Sequence, residues 1–189
     1  LRPTPEELRA AAGAQVPDLI APDLDVLFCG INPSVYSAVV GHHFARPGNR
    51  FWPALHAAGF TPRRLRPDEE RELLALGCGI TNVYERASVS ADELTPDQLR
   101  GGGERLAARV AEYRPRWLAV LGVTAYRAAF GRPRAVIGPQ AETVGGAAVW
   151  VLPNPSGLNA HHTPADLARL FAELRVAAGI ADRRAGGLP

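Results

Sequence analysis

Three asparagines in this chain stand where an apolar run gives way to a turn. Asn32 follows "DVLFCGI", Asn82 closes "CGITN", and Asn154 follows "AVWVLP". Two of them begin the same tripeptide, Asn-Pro-Ser, at 32–34 and at 154–156. An asparagine side chain offers an acceptor and donors without charge. A pair converging on one pocket therefore suits a ligand with an amide or imide edge, such as a nucleobase. Taken singly, each asparagine has a plainer reading, because Asn-Pro is a common turn signal and an asparagine at a strand end often bonds only the backbone. Two identical turns at equivalent strand ends favour a shared function.

The second of these turns, "LPNPSGLNAHH" at 152–162, contains an oddity. Leu158 sits at a loop apex between Gly157 and Asn159, neither of which helps to bury it. It either packs locally against the helix that follows or is built to enter something outside the chain.

Composition removes several kinds of chemistry. All 21 basic residues are arginine, against 19 acidic ones. Without lysine there is no Walker lysine and no Schiff-base nucleophile. The net charge of +2 does not announce a polyanionic partner, although a local arginine patch would serve one. Cys29 and Cys78 lie inside apolar runs and read as buried reduced thiols. Two cysteines are too few for a four-thiolate cluster, and the adjacent pairs His42-His43 and His161-His162 do not converge on one ion. No metal and no cofactor are expected. No apolar run approaches the ~18 residues of a membrane span, and the opening stretch lacks the apolar core of a signal peptide.

These residues need a frame. Apolar runs of strand length occupy 25–31, 78–84, 116–122 and 148–154, and helical patterns alternate with them. The first helix is capped by Thr4, with Pro5 at N1 and Glu7 at N3, and leads into a Pro-rich stretch ending near residue 22. Further helices are expected from about Asn49 to Ala58, over "DEERELLALG", and from Thr95. A Gly triplet at 101–103 argues against one unbroken helix in the last of these. "VTAYRAAFG" forms a short helix. The final helix has Thr163 as cap, Pro164 at N1, Asp166 at N3, and Leu167, Leu170, Phe171 and Leu174 as its apolar stripe. Residues 180–189 read as a frayed tail. Continuous apolar strands alternating with helices predict one α/β domain over 1–189, with a mainly parallel four-stranded sheet covered on both faces. Ligands of such sheets bind beyond the carboxyl ends of the strands, which is where the three asparagines lie. Strand one ends in "GINPS", not in a Gly-x-Gly-x-x-Gly turn, which speaks against a dinucleotide-binding module. No Gly-x-Ser-x-Gly elbow supports Ser34, Ser156 or His161 in a hydrolase.

The blocks "FCGINPS", "FARPGNRFW", "AAGF", "ITNVYER" and "VLPNPSGLN", in this order, resemble the mismatch-specific uracil-DNA glycosylases and the thymine-DNA glycosylases. The resemblance runs from about Val26 to Leu174. It implies a three-layer α/β/α sandwich and an enzyme that extrudes uracil from double-stranded DNA, especially from G·U mismatches, and hydrolyses its N-glycosidic bond; without a lysine to cleave the strand afterwards, the enzyme reads as monofunctional. It further implies that Asn32 positions the water, Phe44 stacks on the flipped base and Asn82 reads the uracil edge. Backbone groups around Gly30, Ile31 and Phe44 would stabilise the departing anion, and Asn154 belongs to the base pocket. Ser156, Gly157, Leu158 and Asn159 form the wedge that fills the vacated stack and meets the orphaned base.

Around this frame the reading assigns further residues. Ser37 holds the water or the base. Arg46, Arg50, Arg63 and Arg64 are the phosphate-contact candidates. Asn32 carries no charge, so Asp92, reaching from the loop after strand two, is the candidate that assists the water, against the default of a solvated loop acid; Glu85 is expected to pair with an arginine. The chain departs from its relatives at Ser34, where they carry glycine, which narrows the C5 side of the pocket and disfavours thymine. It departs again at Asn159-Ala160, where relatives carry Ser-Arg, so that His161 and His162 stand in. The expected partner is uracil-containing or mismatched duplex DNA, not a membrane; the expected protein is a cytoplasmic bacterial monomer. The rival within the same family is a degenerate module that binds such sites without cutting.

Overall fold

A computed structural model describes residues 2–185. Helix α1 (Pro5–Ala10) is closed by the expected capping box: the Thr4 hydroxyl accepts from the Glu7 N–H at 3.2 Å, and the Glu7 carboxylate accepts from the Thr4 N–H at 2.7 Å. Strand β1 (Val26–Gly30) leads through the first Asn-Pro-Ser turn into α2 (Val35–Val40) and then α3 (Phe51–Ala57). The helix expected over "DEERELLALG" is instead a 3-10 turn at Pro67–Glu69 and a single turn, α4 (Glu72–Ala75). Strand β2 (Cys78–Asn82) is followed by a 3-10 turn at Ala91–Glu93 and by α5 (Pro96–Tyr113). Next come β3 (Trp117–Leu121), α6 (Val123–Phe130), β4 (Gly138–Val144), β5 (Ala147–Leu152) and α7 (Pro164–Ala177). Among the described residues no helix is long and apolar enough to cross a membrane.

The sheet has five strands in the order β2-β1-β3-β5-β4, all parallel except β4. The fifth strand, β4, was not expected from its sequence. It carries Pro139, is largely exposed, and pairs only with β5 through the Gly145-Gly146 turn. An exposed edge strand has no apolar run to betray it, and the Gly-Gly hairpin signal was its only mark.

Side chains alternate across the sheet and build one core on each face. Phe28, Ile80, Trp150 and Leu152 meet Phe51 from α3, Phe60 from the loop after it and Phe171 from α7. Leu27, Cys29, Val120 and Val151 meet Leu106, Val110 and Tyr126 from α5 and α6. The three-layer α/β/α architecture follows directly. Both cysteines are free and buried; burial pushes the Cys78 thiol up to about 12 and the Cys29 thiol higher still.

Helix α5 runs unbroken through the Gly triplet, and packing explains why. A Cβ on Gly102 would stand 2.2 Å from the Val83 carbonyl oxygen, and one on Gly103 would stand 2.6 Å from that of Ala129. The glycines let α5 lie directly against the end of β2 and against α6. Gly101, the outer member, would meet only the end of the Arg105 side chain at 3.3 Å. Gly102→Ala is therefore expected to destabilise the fold by about 1–3 kcal/mol, despite alanine's better helix propensity. Gly101→Ala should stabilise it by about 0.5–1 kcal/mol. Thermal unfolding of the two variants checks the opposite signs.

The chain end differs from the frayed tail expected from residue 180. Ile180 is buried in the first core, the Arg183 guanidinium donates to the Phe60 carbonyl at 2.9 Å, and Arg184 donates to the Ala57 carbonyl at 2.6 Å. Residues 186–189 of that expectation lie outside the described residues.

Candidate active site

Parallel register brings the chemistry to one edge. Gly30 pairs with Asn82, and Leu121 with Leu152, so β1, β2, β3 and β5 end at the same level. The turns that follow surround a cavity of about 370 Å³. Its lining includes Gly30, Ile31, Asn32, Ser34, Ser37, Phe44, Arg46, Asn82, Asp92, Asn154, Ser156, Leu158 and Asn159. Arg63 and Arg64 are not part of it.

Asn82 forms the floor and is only 6% exposed. Among the described residues its amide makes no hydrogen bond. Its amide atoms are not sealed from solvent but face the cavity, open to whatever enters it. Gly30 makes room for it: a Cβ there would lie 2.7 Å from Asn82 Oδ1 and 3.2 Å from the edge of the Phe44 ring.

Asn32 is held differently. Its Nδ2 donates to the Arg86 carbonyl at 2.9 Å and to Ser88 Oγ at 2.8 Å. A carbonyl only accepts, so this contact fixes which end of the amide is nitrogen. Oδ1 is left as the acceptor, with no donor from the described residues.

Phe44 is the wall. Its ring stacks on Phe51 with centroids 4.2 Å apart. Its φ of 52° is left-handed, a strained conformation for a bulky residue. Neighbouring bonds impose it. The His43 N–H donates to the buried Glu70 carboxylate at 2.8 Å, the His43 carbonyl accepts from Trp52 Nε1 at 3.1 Å, and the Ala45 N–H donates to Ser37 Oγ at 3.1 Å. The Phe44 N–H itself has no acceptor among the described residues. Sequence reasoning weighed His43 only as a metal ligand. It is 2% exposed, lines the cavity, and its Nε2 donates to the Pro17 carbonyl at 2.9 Å. Ser88, Val89 and Ser90, also in the lining, carried no motif that marked them.

Several of the expected residues brace the loops around the cavity that they line. Ser34 caps α2, its Oγ accepting from the Ser37 N–H at 3.1 Å. Ser37 is 2% exposed, and its hydroxyl accepts from Ser34 Oγ and from the Ala45 N–H, which ties it to the Phe44 loop. Asn154 Oδ1 accepts from the Ser156 N–H at 2.9 Å, an Asx turn that starts the leucine loop. Asn159 is likewise turned inward, donating to the Asn154 carbonyl at 3.0 Å and accepting from the His161 N–H at 3.0 Å. Ser156 Oγ accepts from the Leu158 N–H at 3.2 Å. Gly157 is needed for close approach: a Cβ there would lie 2.6 Å from the Gly48 carbonyl oxygen.

Leu158 is 78% exposed, which rules out local packing against α7. Asp92 is exposed on the opposite rim, in the 3-10 turn capped by Ser90. Burial would raise the Glu85 carboxyl, but a bond from its own backbone N–H and the pairing with Arg105 at 3.0 Å outweigh it and hold the group below the usual range. Of the four arginines, only Arg46 is both exposed and on the rim. Arg63 is engaged by Glu69 and Glu72 at 2.9 and 2.7 Å. Arg50 is half-buried and its guanidinium is engaged by the carbonyls of Ser156, Asn159 and His162.

The arrangement is uncharged at its floor, aromatic on one wall, and apolar at one lip. The family model of the uracil DNA glycosylase superfamily matches residues 17–175. Among solved structures the chain is similar to the solution NMR structure of a candidate uracil DNA glycosylase from Methanosarcina acetivorans. The TM-score is 0.55 at 19% sequence identity, over 86% of this chain and 98% of that one. At that identity the likeness speaks for the fold.

Proposed function

This chain belongs to the uracil DNA glycosylase superfamily, and we propose that it is a monofunctional, mismatch-directed member that removes uracil from double-stranded DNA and so opens base excision repair. The observation that carries this reading is the unpaired amide of Asn82, lining one cavity with the Phe44 ring. Together they offer a hydrogen-bonding edge and a stacking wall, the two contacts a flat imide can use.

In this reading the nucleotide leaves the stack and its uracil enters against Phe44. The Asn82 amide takes the imide edge. Asn32 Oδ1 accepts a hydrogen bond from the attacking water, whose oxygen bonds to C1′ as the C1′–N1 bond breaks. The sugar passes through an oxocarbenium-like state. The bonding pair departs on the uracil, whose negative charge is met by Asn82 and the free Phe44 N–H. Asn32 orients the water without taking its proton. Asp92 is the acceptor we assign for that proton, through solvent at the rim. Leu158 enters the gap in the stack. The uncharged cradle suits a base, and Arg46 suits a phosphate at the edge.

Single-turnover release of uracil from a G·U duplex tests the proposal, with A·U, G·T and single-stranded uracil in parallel and no metal added. Release is expected to be fastest from G·U and weakest from G·T. Tight binding without release from any substrate would make the protein a degenerate mismatch binder. Asp92→Ala is expected to lower the G·U rate about tenfold, less than the ~10²–10⁴ of a well-placed general base because the carboxylate is exposed. Binding of the same duplex should be unchanged. Full activity in this variant would remove Asp92 from the mechanism.

A further inference from the structure

We propose that Arg50 is the positioning residue for Leu158, a clamp that holds the leucine loop in its projecting shape. The proposal rests on the glycosylase reading of Leu158 as a wedge. Leu158 has almost no packing of its own, so its direction depends on the backbone around it. That backbone is gripped at three points by one side chain. Arg50 Nη1 donates to the His162 carbonyl at 2.6 Å, and Nη2 donates to the carbonyls of Ser156 and Asn159, each at 2.9 Å. The Arg50 N–H adds a fourth bond, to the Pro155 carbonyl at 2.9 Å. The gripped residues bracket Leu158 on both sides.

The arrangement is costly to the fold in three ways. Arg50 Nε is buried without a partner. A cation stands at the N-terminus of α3, where the helix dipole disfavours it. The residue in the cap position of that helix makes no side-chain cap, and Asn49 Oδ1 bonds the Phe51 N–H in its place. A planar guanidinium reaching three carbonyls at fixed angles explains why these costs are tolerated. Lysine, a point charge on a flexible stem, cannot reproduce that fork.

A plug is needed only where there is a stack to fill. Single-stranded uracil has none. Arg50→Ala should therefore slow single-turnover release from the G·U duplex by about 10–100-fold, and change release from single-stranded uracil by less than about threefold, since no wedge is required there. In a Leu158→Ala background the same substitution should add little, because residues acting as one unit are not additive. Amide exchange at Leu158, Asn159 and His161 should speed up in Arg50→Ala. Arg50→Lys should behave as Arg50→Ala does, and it gives the same comparison should the alanine variant not fold.

Equal losses on duplex and single strand would overturn the proposal, since Arg50 would then support the base pocket or the fold as a whole. So would unchanged rates, additivity with Leu158→Ala, or full recovery by lysine, the last being the mark of a phosphate contact. The exchange measurement needs no substrate. Absence of uracil release by the unaltered protein would count against the glycosylase reading, and unchanged exchange against the clamp.

Discussion

Asn82→Ala is expected to slow single-turnover release of uracil from a G·U duplex by about 10²–10³-fold, the loss typical of one preorganised donor to developing negative charge. It is expected to do so with no loss of thermal stability. Asn82 closes β2 beside Gly30, is 6% exposed, and makes no hydrogen bond with its side chain among the described residues. The folded protein therefore loses no interaction when the amide is removed. An unfolding midpoint equal to or above that of the unaltered protein, together with a collapse of rate and of preference for uracil in binding, is the signature of a residue kept for its ligand. A rate within about threefold of the original would remove Asn82 from base reading, since a lost donor to an anion costs far more.

The second large effect is expected at Asn32, by a different route. Asn32→Ala should lower the rate by about 10²–10³-fold while leaving affinity for uracil-containing duplex nearly intact, because a misplaced water costs rate and not base recognition. The side chain is tethered through Nδ2 to the Arg86 carbonyl and Ser88 Oγ, so its Oδ1 has one direction to face. These bonds lie near the surface, where water replaces the lost donors, and the stability cost should stay near about 1 kcal/mol. Measured together, the variants separate the two asparagines: one loses binding preference and rate, the other rate alone. If Asn32→Ala lost affinity as severely as Asn82→Ala, Asn32 would be a second base contact and the water would need another holder.

Much of this site was legible in the chain before it was folded. Asn32 just after β1, Asn82 at the end of β2 and the apex leucine were visible because their types are out of place: amides ending apolar runs, a leucine in a polar turn. The caps of α1 and α7 were legible because Thr4, Thr163 and their partners three residues on act through local bonds. The edge strand β4 was missed because exposure erased its pattern, and the unbroken α5 was doubted because the reason for Gly102 lies in Val83, far along the chain.

Residue types and their order determined the layered α/β class, the uncharged character of the pocket and the residues that border it. They could do so because periodicity, capping and turn chemistry act over a few neighbours. Tertiary structure alone decided how each side chain is used. It left Asn82 unpaired and Asn32 tethered, turned Asn154, Asn159 and Ser37 inward to brace loops, and committed Arg50 to three carbonyls across the site. A polar side chain is open to a ligand only if the fold has not already satisfied it, and for Asn32 and Arg50 the partners that do so lie more than fifty and more than a hundred residues away along the chain.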